Sequence, residues 1–396
     1  MYDNNHILTK KEIIYLLNKI KMVKMNKKII IGVTIIILLL IIIFGTNLIK
    51  ITNIQESENN NIIKIGGIFG LSGFSSEWGE GELRAVEFAV NEINNNGGIN
   101  GKQIKLIVED TQTDGIGTIN AFNKLINIDK IKYIIGSTWL ETYIGGAEIA
   151  EKNKIITISP SSSVTSMKDQ GYYKYIFSTW YRSDLETKEI VNHMLDNNIS
   201  NVVLLFMNTA YWEDISNQFK INAKKNGLNV LQEFRFNANE VDFKTILTKV
   251  KQLNPDAIMF GVDDASSLIA FLKQKEELHM NSIQLFSESS LGTYGRDPIL
   301  KEYLIGSKYA SPVILDSEFK KIFYKQHTKI ISPSVETAYD AIKILTTAIK
   351  EVGEDTDSVL NYLKTNNFNT ITYGDKVSFD SLNGLTGVKY EIKTIN

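Results

Sequence analysis

The chain has 396 residues, enough for two domains, and its 43% hydrophobic content excludes a disordered protein. It has no cysteine, and its four histidines lack metal-ligand spacing, so disulfides, zinc–thiolate sites and thiol catalysis are excluded. The net charge of −2 combines +5 over residues 1–28 with −7 over the rest, whereas a nucleic-acid-binding protein would have a basic folded part.

Residues 29–49 form an uncharged apolar run, IIIGVTIIILLLIIIFGTNLI, preceded by two lysines. About 20 apolar residues span a bilayer, and a basic flank favours the cytoplasmic side. A cleaved signal peptide is the alternative, but the run is long for a signal core and no small-residue cleavage site follows. We therefore predict a transmembrane signal anchor at 29–49, a basic cytoplasmic segment at 1–28 and a polar tether at 50–61. Translation from Met1 and from Met25 are both compatible with this pattern.

The stretch from Ile62 to Asp114 has the pattern of a strand, a turn, a helix and a second strand. The apolar run Ile62–Phe69 meets a Gly/Ser cluster, which is typical of a turn. Apolar residues then recur at helical spacing, at Leu83, Val86, Val90 and Ile93. Gly97 ends this helix, and a β-type run follows at 103–109. This is the building block of a parallel sheet.

After Asp114 the chain continues to alternate helices and strands. Up to a turn at Pro160–Ser163, apolar spacing predicts helices at 119–128 and around 144–150, and strands at 132–135 and 155–159. Beyond it we predict helices at 184–197, 214–226, 242–253 and 265–277, and strands at 201–206, 229–235, 256–261 and 283–287. Two helices and an edge strand complete the chain, at 319–327, 336–352 and 388–394. Such alternation is typical of two doubly wound α/β domains.

The order of these signals, with the motifs LSG, WG, EIN and GGINGK in the first unit, resembles the type I periplasmic solute-binding proteins of ABC importers. The leucine/isoleucine/valine-binding branch is the most similar. The resemblance implies two parallel-sheet lobes joined by a three-strand hinge. Lobe 1 would comprise 62–181 and 311–380, and lobe 2 would comprise 182–310 and 381–396. It also implies no catalysis, no cofactor, a small polar ligand and ABC permease subunits as partners.

Ligands of open α/β sheets bind outside the carboxyl ends of the strands. This rule selects the loops at 70–78, 136–143, 160–163, 207–212, 261–265 and 287–291. Facing each other across a cleft, these loops suit an aromatic-lined pocket with a few fixed polar groups. We therefore expect the binding site to lie between the lobes.

The family resemblance implies roles for individual residues of the first-lobe loops. Trp78 would pack on the ligand, with capping of the core beneath its helix as the alternative. Ser161 and Ser163 would hydrogen-bond the ligand, with simple turn formation as the alternative. Trp139 would line the same pocket.

Three residues have implied roles in the second lobe. Tyr211 would close on the ligand, with Trp212 as a competing neighbour. Glu288 lies near the family's acidic residue, which binds a ligand ammonium group. Asp263 stands where relatives often have tyrosine. Charged loop residues are often only solvated, which is the alternative for both acids.

One position departs from the family pattern. In the amino-acid binders a serine lies four residues after the glycine that matches Gly136, and its hydroxyl binds the ligand carboxylate. This chain has Leu140 there. Leucine cannot donate a hydrogen bond, so backbone N–H groups or Thr142 would have to replace the serine. The pocket is therefore expected to be retained, but its ligand need not be an α-amino acid.

We thus expect an extracytoplasmic, membrane-anchored solute-binding protein that captures a small polar ligand, such as an amino acid or an amide, by hinge closure and delivers it to an ABC importer. A ligand-sensing receptor ectodomain that signals through a partner protein is the first alternative. An α/β enzyme is the second, but no G-x-S-x-G, Walker A, H-E-x-x-H or C-x-x-C motif occurs.

Overall fold

The computed structural model describes residues 61–396 apart from 170, 172, 173, 329 and 331, together with residues 11, 14, 15 and 40. The predicted cytoplasmic segment, anchor and tether therefore lie outside the described residues, except at those four isolated positions. Within the described part of the chain, no helix combines the length and the apolarity that a membrane crossing needs. Ile63–Asn396 form one unit that contains both lobes.

The first lobe begins with five strands and the helices between them. These elements are β1 (Ile62–Phe69), α1 (Ser76–Asn95), β2 (Gln103–Asp110), α2 (Gly115–Asn127), β3 (Tyr133–Gly136), α3 (Leu140–Asn153), β4 (Ile156–Ser159), α4 (Thr165–Asp169) and β5 (Ile176–Ser178). The strands form one sheet in the order β2-β1-β3-β4-β5, and β1, β3, β4 and β5 pair in parallel. The predicted apolar stripe of α1 is buried at Leu83, Val86 and Val90.

The second lobe repeats this alternation. Its elements are α5 (Ser183–Asp196), β6 (Asn201–Met207), α6 (Ala210–Asn226), β7 (Asn229–Phe236), α7 (Lys244–Leu253), β8 (Ala257–Gly261), α8 (Ala265–Glu277), β9 (Gln284–Ser287), α9 (Leu291–Tyr294), α10 (Pro298–Leu304) and β10 (Lys308–Pro312). The strands pair in parallel in the order β10-β9-β8-β6-β7. The predicted α/β class with parallel sheets is therefore confirmed.

The chain then returns to the first lobe before it ends in the second. The remaining elements are α11 (Glu318–Gln326), α12 (Val335–Val352), α13 (Thr356–Thr365), β11 (Asn367–Thr370), β12 (Gly374–Phe379), β13 (Leu385–Thr386) and β14 (Tyr390–Thr394). β11, β12 and β13 form a small antiparallel sheet, and β14 pairs antiparallel with β10. β13 pairs with β12 beyond residue 380, and the lobe boundary predicted there stays a prediction.

Two helices begin four residues before the positions that apolar spacing predicted. α2 starts at Gly115, because the side chain of Asp114 accepts a hydrogen bond from the N–H of Gly117 at 2.6 Å. α6 starts at Ala210, because Thr209 caps it in the same way. Such caps satisfy N–H groups that would otherwise lack a partner. Both helices therefore begin at the edge of the sheet, next to the loops that face the other lobe.

Arg182 links two of the chain crossings between the lobes. Its guanidinium donates to the Asp184 carboxylate at 2.7 and 3.0 Å and also pairs with Asp380, which lies between β12 and β13. The backbone N–H of Arg182 donates to the hydroxyl of Tyr390 at 2.9 Å. The arginine is only 6% exposed. The buried Arg182 thus joins the start of α5 to the segments on either side of β13.

Replacement of Arg182 by methionine keeps the apolar stem but removes the charge that pairs with Asp184 and Asp380. Both carboxylates are about a quarter exposed, so they retain some hydration after the arginine is lost. We expect the free energy of unfolding to fall by about 2 kcal/mol, measured by urea unfolding. Arg84→Met removes an exposed pair with Glu87 and should change it by less than about 0.5 kcal/mol. Equal losses in the two variants would contradict this prediction.

Candidate functional site

The loops predicted to face the cleft lie at the carboxyl ends of β1, β3 and β4 in the first lobe, and of β6, β8 and β9 in the second. The structure brings the two sets into contact. At the start of α3, the Glu141 carboxylate accepts hydrogen bonds from the N–H groups of Ala210 at 3.1 Å and Tyr211 at 3.4 Å. A carboxylate at a helix N-terminus is a favourable pairing. The candidate site therefore lies where the loops of the two lobes meet.

Aromatic side chains form the first-lobe side of this site. The ring of Trp78 lies 5.8 Å from that of Trp139 and 5.7 Å from that of Trp180, measured between centroids. Phe74 lies 5.4 Å from Trp139, and Trp180 stacks on Tyr181. The structure thus brings together the two predicted tryptophans. Sequence reasoning missed Trp180 and Tyr181, because the strand that precedes them, β5, has only three residues and was not recognised.

Leu140 does not belong to this aromatic group. Its side chain is 1% exposed and lies in the apolar cluster of the first lobe with Phe122 and Tyr143. It is the first residue of α3, and that helix packs its apolar side against α2. The structure thus places the Leu140 side chain in the core beneath the loop, so only its backbone is left for a ligand contact, and that role stays a prediction.

Glu82 is a buried carboxylate that sequence reasoning missed. It lies on α1 and accepts hydrogen bonds from the hydroxyls of Thr138 at 2.6 Å and Ser334 at 2.8 Å. The hydroxyl of Ser161 also donates to it, and Ser161 Oγ accepts from the N–H of Trp139 at 3.1 Å. Burial raises the pKa of Glu82 to about 7, although the hydroxyl donors oppose this shift. The sequence did not indicate this role, because Glu82 lies within a helix and its partners are distant along the chain.

Ser163 belongs to a second network, which crosses between the lobes. Its Oγ lies 2.9 Å from Thr165 Oγ1 and 3.1 Å from Ser183 Oγ. Both of those hydroxyls donate to the Asp214 carboxylate on α6, at 2.6 and 2.5 Å. Burial raises the pKa of Asp214, and the hydroxyl donors oppose this shift. The neighbouring Ser162 is fully buried, and its Oγ has no hydrogen-bond partner in the part of the chain that the structure describes.

The second-lobe side of the site is acidic and is built around Glu288. The hydroxyl of Tyr211 donates to Glu288 Oε2 at 3.2 Å, and the N–H of Ser290 donates to the same oxygen at 2.9 Å. The N–H of Ser289 donates at 2.9 Å to Glu186, a second buried carboxylate that sequence reasoning missed. Burial and the charge of Glu288 raise the pKa of Glu186, and burial also raises that of Glu288. Two predicted residues, Tyr211 and Glu288, are therefore in direct contact.

Trp212 faces the core, whereas its neighbour Tyr211 faces Glu288. Its ring is fully buried and stacks on Phe206. Its indole N–H donates to Asp263 at 2.8 Å, so this tryptophan orients the predicted acid from behind. Burial raises the pKa of Asp263 to about 7, opposed by the bond from Trp212 and reinforced by the charges of Glu141 and Glu288.

The structure offers no alternative metal centre among the residues that it describes. In that part of the chain, no group of three or more histidine, aspartate or glutamate side chains has an arrangement that could hold a metal ion. The side chains that the structure brings together at the site are hydroxyls, carboxylates and aromatic rings, which bind small molecules by hydrogen bonds, charge and stacking.

Comparisons with known proteins match this architecture. A family described as "Periplasmic binding protein" matches residues 62–386. The Leu/Ile/Val-binding protein of Escherichia coli is 24% identical over 336 residues, which cover 83% of this chain and 90% of that protein. Together these matches confirm the family resemblance predicted from the sequence.

Two solved structures show the same fold. One is the branched-chain amino acid transporter substrate binding protein of Streptococcus pneumoniae in complex with isoleucine, with a TM-score of 0.69 and 22% identity over 85% of this chain and 96% of that one. The other is an ABC transporter solute binding protein of Rhodopseudomonas palustris HaA2 in complex with p-hydroxybenzoic acid. Its TM-score is 0.73 at 18% identity, over 85% of this chain and 93% of that one.

The raised pKa of Glu82 predicts how stability depends on pH. This pKa is about 7 in the folded chain against an ordinary value of 4.5, so the folded state holds the extra proton between these values. The contribution of Glu82 to stability is therefore largest below pH 4.5 and is lost as the pH rises through 7. Glu82→Gln cannot titrate, so between pH 4.5 and 7.5 its free energy of unfolding should improve by roughly 3 kcal/mol relative to the unmodified chain.

Urea unfolding at several pH values measures this difference. Other buried acids titrate equally in both proteins, so their contributions cancel. Glu80→Gln is the matched control, because Glu80 lies on the same helix but is 61% exposed, and its difference from the unmodified chain should stay constant. The prediction would be refuted if the free energy of unfolding of Glu82→Gln also differed from that of the unmodified chain by the same amount at every pH.

Proposed function

The chain belongs to the periplasmic binding protein family, and from that premise we propose that it captures a small polar ligand between its lobes and delivers it to an ABC importer. Membership rests on the match over residues 62–386. The compared relatives are binding proteins and not enzymes, so the proposal includes no catalysis. The family acts outside the cytoplasm, and we propose that location for the folded part of this chain.

The observation that carries the proposal is the meeting of two dissimilar walls at one edge of both sheets. The first wall is aromatic, with Trp78 and Trp139 in edge-to-face contact. The second is acidic, with Glu288 hydrogen-bonded to Tyr211. A pocket with aromatic walls and a few convergent polar groups is the usual form of a small-molecule site. The proposed ligand contacts are therefore Trp78, Trp139, Ser161, Ser163, Tyr211, Asp263 and Glu288, with any contact of Leu140 limited to its backbone.

Hinge closure is the proposed mechanism. Contacts such as Glu141 with the N-terminus of α6, and Thr165 with Asp214, join residues of different lobes and would break if the lobes moved apart. A ligand that touches both walls adds contacts available only when the lobes are together. It therefore shifts the population toward the closed form. Closure also excludes water, which strengthens the hydrogen bonds to the ligand.

Residues 29–49 are proposed to anchor the protein in the membrane. Their uninterrupted apolar sequence is the basis of this proposal, together with the lysines that precede them. Such an anchor would hold the binding domain close to the permease subunits of the importer. The tether at 50–61 would separate the domain from the bilayer.

Ligand binding should stabilise the protein and change the distance between the lobes. A ligand at 100 times its Kd adds about 2.7 kcal/mol to the free energy of unfolding. The detergent-solubilised chain is screened by thermal shift against amino acids, amides, polyols and amines. Because the chain has no cysteine, cysteines introduced at Lys105 and Lys273, one on each lobe, can be spin-labelled specifically. Ligand should then narrow the distance distribution to one population.

Tyr211→Ala should weaken the binding of any ligand found in this screen by at least tenfold. Tyr303→Ala is the matched control, because Tyr303 lies on α10 in the same lobe and packs against its core. Its Kd should stay within twofold of the original value. Unchanged binding by Tyr211→Ala would remove this residue from the site, and a screen without any stabilising solute would refute the proposed function.

The anchor has its own test. Extraction of membranes with alkaline carbonate should leave the full chain in the pellet and should release a chain that lacks residues 29–49. Release of the full chain, or a mature N-terminus beyond residue 49 found by mass spectrometry, would contradict the anchor.

A further inference from the structure

We infer that the ligand is an organic ammonium cation with an apolar body, rather than an α-amino acid or an aromatic carboxylate. This inference rests on the proposed function, because it assigns a ligand class to the same cleft. Two observations carry it. Hydroxyls of the first-lobe loops are engaged by carboxylates of the protein or by hydroxyls that donate to them, and the acids on the opposite wall have no cationic partner in the described part of the chain.

Glu82 engages the hydroxyls of the first-lobe wall. It accepts hydrogen bonds from Thr138, Ser334 and Ser161. A hydroxyl has one proton to donate, so none of these three can donate to a ligand at the same time. The Glu82 carboxylate therefore occupies the donors that a ligand carboxylate would need, and the serine expected in amino-acid binders is replaced by the core residue Leu140.

Ser163, the other predicted serine, is linked to Asp214 through two further hydroxyls. Asp214 accepts the protons of Thr165 and Ser183, and Ser163 hydrogen-bonds to both of these hydroxyls. The carboxylate is 4% exposed, so water does not replace these donors. Of the two serines predicted to hold the ligand, Ser161 is thus engaged by an acid directly, and Ser163 is engaged by two hydroxyls that donate to an acid.

The opposite wall holds three acids that have no cationic partner among the residues that the structure describes. Glu186 and Glu288 are each 1% exposed, and Asp263 receives its hydrogen bond from a neutral indole. Among the residues that the structure describes, no lysine, arginine or histidine forms an ion pair or hydrogen bond with any of these three acids. Buried carboxylates are normally paired with cations. A cationic ligand would supply this partner and stabilise the charged form of the acids, whereas a ligand carboxylate would disfavour that form.

The rest of the cleft suits the apolar body and the ammonium group of such a ligand. Trp78, Trp139 and Trp180 form one contiguous set of rings, and aromatic faces attract cations as well as apolar groups.

Ligands with similar apolar bodies and different charged groups test the inference. One series comprises 3-methylbutylamine, leucine and 4-methylpentanoate, and a second comprises 2-phenylethylamine, phenylalanine and 3-phenylpropionate. A third pair compares tyramine with p-hydroxybenzoate. Calorimetry with the detergent-solubilised full chain should give the amine a Kd at least tenfold lower than that of the other members in at least one series.

Variants identify the acid that recognises the charge. Glu288→Gln should weaken amine binding by at least tenfold, because the amide keeps the shape but removes the negative charge. Glu277→Gln is the matched control, since Glu277 lies in the same lobe but is 57% exposed. It should leave the Kd of the amine unchanged.

The possible outcomes separate this inference from the proposed function. Tighter binding of a zwitterion or a carboxylate would overturn the inference and leave the proposed function standing. Amine binding that Glu288→Gln does not weaken would also overturn it. If no member of any series binds, the inference fails, while the wider solute screen decides the proposed function independently.

Discussion

The requirement that buried polar groups find partners governs how the two lobes of this protein meet. In each parallel sheet, the loops that follow the strands collect at one edge, and the two edges face each other. Polar side chains on these loops lose water where the lobes touch. The structure meets the requirement with hydroxyl–carboxylate bonds, such as those from Thr138 to Glu82 and from Thr165 to Asp214. The second bond joins the two lobes directly. The contact between the lobes therefore also supplies the buried Asp214 carboxylate with a hydrogen-bond donor.

The buried acids of the cleft have no cationic partner among the described residues. Burial raises the pKa of Glu82 and that of Asp263 to about 7, because desolvation penalises the charged form. Where the chain crosses between the lobes, by contrast, the buried Arg182 pairs with two aspartates. The same chain thus compensates its acids where the lobes are joined and leaves them uncompensated where a ligand is proposed to bind. A bound cation would complete the second arrangement in the way that Arg182 completes the first.

Much of the fold could be predicted from the sequence, because each helix or strand leaves a periodic apolar pattern. The site was less predictable. Tyr211 could be placed beside Glu288, since both follow strands of one parallel sheet. Glu82 could not be identified, because it lies within a helix whose sequence pattern does not reveal that one acid points to hydroxyls on distant loops. Trp180 was missed because the strand before it is only three residues long. Contacts made through space between distant segments leave no periodic signal.

Leu140 and Glu82 are best understood together. A leucine at this position removes one hydroxyl donor, and its side chain packs into the core. Glu82 then engages three further hydroxyls. Each feature removes donors that a ligand carboxylate would need, because Leu140 offers no hydroxyl and Glu82 already accepts from those around it. On the inference of an ammonium ligand, the family fold would therefore serve a different ligand class through local substitutions, with no rearrangement of either sheet.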